Sequence, residues 1–130
     1  MAQDLYTASV TAAPGSVESE DGALSLQVHE PSELGGAGGA TNPEQLMAAA
    51  LASCLLESIR IAAGTAGESI DRVTVQASVT LSDNDGIGYD AAYSLTVSLP
   101  DFGQPDDVLK QAKSICPFLR SVEGVDVVLA

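Results

Sequence analysis

Residues 46–56 read Leu-Met-Ala-Ala-Ala-Leu-Ala-Ser-Cys-Leu-Leu, a stretch in which Ser53 is the one polar side chain. Immediately upstream, Asn42-Pro43-Glu44-Gln45 offers a capping side chain, a proline suited to the first helical position and a glutamine placed to close a capping box. A helix is therefore predicted from Pro43 to about Ala63, stopping at Gly64, where the left-handed conformation costs least. Within it the apolar residues circle the axis, and a helix that is hydrophobic all round must be enclosed. A chain of 130 residues struggles to enclose every face of such a helix. A sheet on one side and a second copy on the other is the economical solution, so a homodimer is expected.

The flanking sequence supplies the strands. Tyr6, Ala8, Val10 and Ala12 alternate with polar neighbours, and Leu24, Leu26 and Val28 repeat that period after the turn signal Asp21-Gly22. Val73 to Leu81 and Tyr89 to Leu99 alternate on either side of a turn rich in Asp, Asn and Gly, which predicts a β-hairpin. Pro105-Asp106-Asp107 opens a second helix, with Lys110 and Lys113 toward its negative end and Pro117 as its stop. A short strand over 125–129 completes the order β-β-α-β-β-α-β, an α+β fold. Neither a repeat nor a linker divides the sequence, so residues 1–130 are expected to form a single domain.

Charge narrows the partners. Five Lys and Arg stand against 18 Asp and Glu, a formal net charge of −13, which removes the footing that nucleic-acid phosphates need. The same surplus repels anionic membranes. Residues 1–10 show no charged and then apolar leader pattern, and the apolar run is shorter than the roughly 20 residues that span a bilayer. A cytoplasmic protein without a membrane partner is expected. Two distant cysteines without a CxxC pair, and one histidine, build no standard zinc site.

Several residues invite chemistry and also have plain explanations. The glycine loop over 35–40 precedes a helix, yet no Lys-Ser/Thr follows it, and Thr41 stands where a dinucleotide fingerprint needs its last glycine. It reads as a segment that lets backbones approach closely. His29, at the end of a strand, reads as a surface or edge residue with no partner for a triad or metal. Cys54 in mid-helix fits a small core hydrophobe, and Cys116 before Pro117 is expected at an exposed to intermediate helix end. Glu44 in a first helical turn is favoured by the macrodipole alone.

Taken together these residues form a pattern. The run Gly35-Gly36-Ala37-Gly38-Gly39-Ala40-Thr41-Asn42-Pro43-Glu44-Gln45-Leu46, then Cys54, then Ile115-Cys116-Pro117, resembles the organic hydroperoxide resistance (Ohr) branch of the OsmC/Ohr family. The likeness extends over the whole chain, including Leu34 and the Gly86-Ile87-Gly88 turn before the strand that ends near Leu99. The resemblance implies an OsmC-like fold: antiparallel sheets on a long buried central helix, in an intertwined homodimer. It also implies a cysteine-based peroxidase that reduces organic hydroperoxides, holds no bound cofactor or metal, and is recycled by a lipoylated protein or another dithiol. On that pattern Cys54 is the peroxidatic cysteine, Cys116 the resolving one and Glu44 the acid that holds an active-site arginine. An apolar pocket built by residues such as Leu46, Met47, Leu51 and Leu55 would favour alkyl and lipid peroxides.

Two further points bear on this. In one straight helix the ten-residue spacing of Glu44 and Cys54 amounts to roughly 15 Å of rise, so a glutamate serving Cys54 would come from a partner subunit unless the helix breaks. The arginine that related sequences carry between the first two strands is missing: residues 13–19 read Ala-Pro-Gly-Ser-Val-Glu-Ser, and the cations are Arg60, Arg72, Lys110, Lys113 and Arg120. Phe118-Leu119 also replaces the Tyr-Ser that the family often has after Cys-Pro. The alternative function is an OsmC-fold dimer with little peroxidase activity that binds a hydrophobic small molecule at its interface.

Overall fold

Asn42 caps the central helix as its position predicts, its Oδ1 accepting the Gln45 N–H at 2.8 Å. The reciprocal half of the capping box does not form: Gln45 Oε1 instead accepts the Thr41 hydroxyl at 2.8 Å. In the computed structural model, which describes residues 2–130, this helix α1 spans Pro43–Ala66 and is longer than expected. It runs through Gly64 and ends at Gly67, whose φ of 73° allows Glu68 N–H to reach back to the Ala63 carbonyl at 2.9 Å. With 24 residues, α1 is long and apolar enough to cross a bilayer by length and composition, which its 11-residue apolar run concealed. Its inward face is nonetheless filled with core side chains.

The chain divides into two compact units, one ending at Leu46 and the other Met47–Ala130. The first holds a three-stranded antiparallel sheet of β1 (Val10–Ala13), β2 (Ser16–Ser19) and β3 (Ser25–Gln27), with β2 in the middle. Two strands were expected here, and the predicted first strand reaches back only to Val10. β2 is the addition: Pro14-Gly15 turns the chain at once, with Gly15 at φ 84°. The glycine loop behaves as a close-packing segment. A Cβ on Gly36 would fall 2.1 Å from the Glu30 carbonyl oxygen, while Gly36 N–H and Gly38 N–H bond the Pro31 and Glu30 carbonyls, each at 3.1 Å. None of the described residues of this unit is fully buried.

In the second unit β4 (Thr74–Ser82) and β5 (Asp90–Ser98) form the expected hairpin, and β6 (Val125–Leu129) lies parallel to β5 on its other edge. A parallel neighbour requires a crossover, which α2 (Pro105–Ile115) and α3 (Pro117–Ser121) provide. Pro117 therefore ends one helix and opens the next, because its missing N–H costs nothing at a first helical position. Leu51, Leu55, Ile59 and Ala62 of α1, Leu95 and Val97 of β5, and Val108, Leu109, Ala112 and Cys116 at α2 close one core. The α+β class follows from these elements.

Candidate active site

The spacing of core residues on two helices sets the site. On α1 the i, i+4 row of Leu51, Leu55, Ile59 is fully buried, which leaves Cys54 at the margin of that face, partly buried and packed against the core. On α2 the row Val108, Ala112, Cys116 is buried, and Cys116 N–H bonds the Ala112 carbonyl at 2.9 Å. Cys116 is 0% exposed, against the exposed to intermediate position expected of a helix end. The reason is α3. It begins directly at Pro117, ties Arg120 N–H to the Cys116 carbonyl at 3.1 Å and brings Leu119 against the core, so the helix end is covered.

Both thiols are free, and Cys116 Sγ stands 3.5 Å from Cys54 Sγ, within S–H···S distance. Burial pushes the Cys54 thiol above its ordinary range; the Phe118 backbone N–H pulls it down, and the neighbouring Cys116 thiol adds to the rise. Phe118 is the contributor that the sequence reading missed. Pro117 has no N–H, so the first amide available at the start of α3 is that of Phe118. The Cys54 carbonyl accepts the hydroxyl of buried Ser58 at 3.2 Å.

The expected apolar pocket is altered. Leu51 and Leu55 are sealed in the core and are not open walls, while Met47 and Cys54 are each partly buried against the core. Glu44 sits in the first turn of α1 with its Oε1 shielded from solvent and without a hydrogen-bond partner among the described residues. α1 is continuous through both positions, so Glu44 and Cys54 keep their separation along one unbroken helix. Arg60 is held by Glu57 at 2.7 Å and Arg72 by Asp101 at 2.6 Å. His29 Nδ1 bonds the Gly38 carbonyl at 2.9 Å, which pins the glycine loop and leaves Nε2 toward Gly15. Among the described residues no cluster of His, Cys, Asp and Glu is arranged to hold a metal ion.

Comparison with known proteins places these features in a group. Residues 36–130 match the family model described as OsmC-like protein. An organic hydroperoxide resistance protein of Xanthomonas axonopodis pv. citri is 33% identical, over 96% of this chain and 93% of that protein. The crystal structure of an organic hydroperoxide resistance protein from Legionella pneumophila superposes with a TM-score of 0.83 at 33% identity, covering 98% of this chain and 97% of the other. A Vibrio cholerae organic hydroperoxide resistance protein, solved with captopril in one of its active sites, gives a TM-score of 0.87 at 31% identity over 98% and 93% of the two chains.

Proposed function

Since the chain belongs to the OsmC-like family, and relatives named for organic hydroperoxide resistance align with nearly all of it, we propose that it reduces organic hydroperoxides with the Cys54/Cys116 pair. The 3.5 Å separation of the two sulfurs carries this reading. The Cys54 thiolate attacks one peroxide oxygen, the O–O bond breaks, and the alcohol leaves with a proton, which leaves Cys54 as a sulfenic acid. The Cys116 thiol then attacks the Cys54 sulfur and water departs as the disulfide forms. To bond, the sulfurs need to close by only about 1.5 Å, from contact to the roughly 2.05 Å of a disulfide. A dithiol such as a lipoyl group returns the pair to thiols with two electrons and two protons.

The reading includes a homodimer. A three-stranded sheet without a buried side chain does not hold by itself, and the first unit offers Leu5, Tyr6, Val10, Leu26 and Leu34 exposed. Glu44 Oε1 lacks a hydrogen-bond partner among the described residues, and in the dimer Glu44 would act in a site whose cysteines lie on the other chain once the present cover of that oxygen shifts.

Turnover of cumene hydroperoxide with dihydrolipoamide tests the reading. Wild type should turn over, Cys54→Ser should not, and Cys116→Ser should lose turnover as its uncaptured sulfenic acid is oxidised further. One observation favours the competing role, a dimer that binds a hydrophobic molecule without turnover: the turn over residues 13–16 offers no cation, and burial opposes the Cys54 thiolate. In that case hydroperoxide would leave both thiols unoxidised in wild type.

A further inference from the structure

Cationic side chains are distributed unevenly over this acidic chain. Residues 108–122 contain Lys110, Lys113 and Arg120 and no acid, while the rest of the chain carries all 18 acids and two cations. Those two, Arg60 and Arg72, are committed to ion pairs with Glu57 and Asp101. Lys110, Lys113 and Arg120 are exposed, and none has an acid within ion-pair distance among the described residues. They belong to α2 and α3, the two helices that meet at Cys116. Lys113 lines two surface hollows, one shared with Leu109, Lys110 and one acid, Asp106, the other with Leu119, Arg120 and one acid, Glu123. Phe118, 41% exposed despite its size, lies on α3 between Cys116 and Arg120 in sequence.

We infer that this α2–α3 surface is the docking face for an acidic protein segment that delivers the reducing dithiol to the Cys54–Cys116 disulfide. The inference rests on the peroxidase reading for the identity of the incoming group as a reductant. Charge complementarity commits it to an acidic partner: the net charge of −13 repels acidic proteins, whereas the cations without an ion-pair partner among the described residues all lie on the two helices that meet at Cys116. Three cations spread over two hollows and two helices match an extended acidic surface better than one carboxylate. Cys116 is sealed, so the donor thiolate attacks Cys54. Its electron pair breaks the S–S bond, Cys116 leaves as a thiolate and takes a proton, and the donor's second thiol releases Cys54 as the donor becomes a disulfide.

The test sets local charge against net charge. The full chain is oxidised with diamide, and its reduction is timed with a Cys-Gly-Gly-Cys peptide flanked by glutamates, with the lysine-flanked version and with dithiothreitol. At low salt the glutamate peptide should be about tenfold faster than the lysine peptide, and the advantage should vanish in about 0.5 M salt. The triple variant Lys110→Glu, Lys113→Glu, Arg120→Glu should lower the ratio of the glutamate-peptide rate to the dithiothreitol rate about tenfold. A faster lysine peptide, or an unchanged ratio in the triple variant, overturns the docking face. Should cumene hydroperoxide fail to form the disulfide that diamide forms, the peroxidase reading falls and the docking result stands; no disulfide with either oxidant overturns both.

Discussion

Cys54 and Cys116, brought together from different helices, place their sulfurs 3.5 Å apart while both remain free thiols. The pair is asymmetric: Cys54 is reachable at the core margin, and Cys116 is sealed behind it. A sulfenic acid on Cys54 would thus form with its trap already in contact. Excess cumene hydroperoxide should leave wild type as an intramolecular disulfide, two hydrogens lighter by intact mass. Cys116→Ser should accumulate species carrying two or three added oxygens, because nothing captures the sulfenic acid before further oxidation. Equal over-oxidation of both proteins would contradict the trapping role.

The raised Cys54 thiol makes a pH prediction. Its reaction with iodoacetamide should keep accelerating above the ordinary thiol range, whereas an unperturbed thiol levels off. Stability follows the same sign. The folded state holds this proton more tightly than the unfolded chain, so the contribution is complete below the unfolded thiol value of about 8.5 and is lost as pH rises through the higher folded value. Denaturant midpoints of wild type should therefore fall at alkaline pH relative to those of Cys54→Ser. Parallel curves for the two proteins would remove the effect.

What the sequence disclosed and what it withheld divide along physical lines. The start of α1, the β4–β5 hairpin and β6 were legible because capping residues and two-residue periodicity are local signals. β2 was not, since Ser16–Ser19 is a polar tetrapeptide with one apolar residue and no buried one. Gly64 misled because a glycine inside a helix looks the same in sequence as one that ends it; only the φ of 73° at Gly67 separates the two. For the site, the family pattern pointed to Cys54, Cys116 and Glu44, and the cysteines do meet. The burial of Cys116 and the Phe118 amide depend on α3, which a proline read as a stop concealed. The tie of His29 to the glycine loop was not legible, because its acceptor is a backbone carbonyl, and every residue type supplies one.

Gly36→Ala should damage the first unit more than Gly39→Ala. At Gly36 a methyl group meets the Glu30 carbonyl at 2.1 Å, so the backbone must move and two loop hydrogen bonds are disturbed. At Gly39 there is space, and the penalty is the φ of 72° alone, about 1–2 kcal/mol. Urea unfolding of the two variants should show the larger loss at Gly36. The reverse order would refute the close-approach account.

Leu55→Ala should cost about 2–5 kcal/mol, because Leu55 is fully buried in the core that α1, β5 and α2 close and its removal leaves a cavity there. Ile61→Ala, on the exposed side of the same helix, should stay within about 1 kcal/mol as a single chain. Chemical denaturation at fixed protein concentration checks both. A larger effect at Ile61 would mean that a second copy covers it.

The absence of any fully buried residue before Met47 among the described residues has a consequence for how this molecule persists in a cell. A hydrophobic interior is what makes unfolding an all-or-none event, and the opening third of the polypeptide has none of its own. In the proposed homodimer its integrity would follow encounter, with abundance deciding how much of that third survives a protease, so that scarcity itself would act as a signal for turnover.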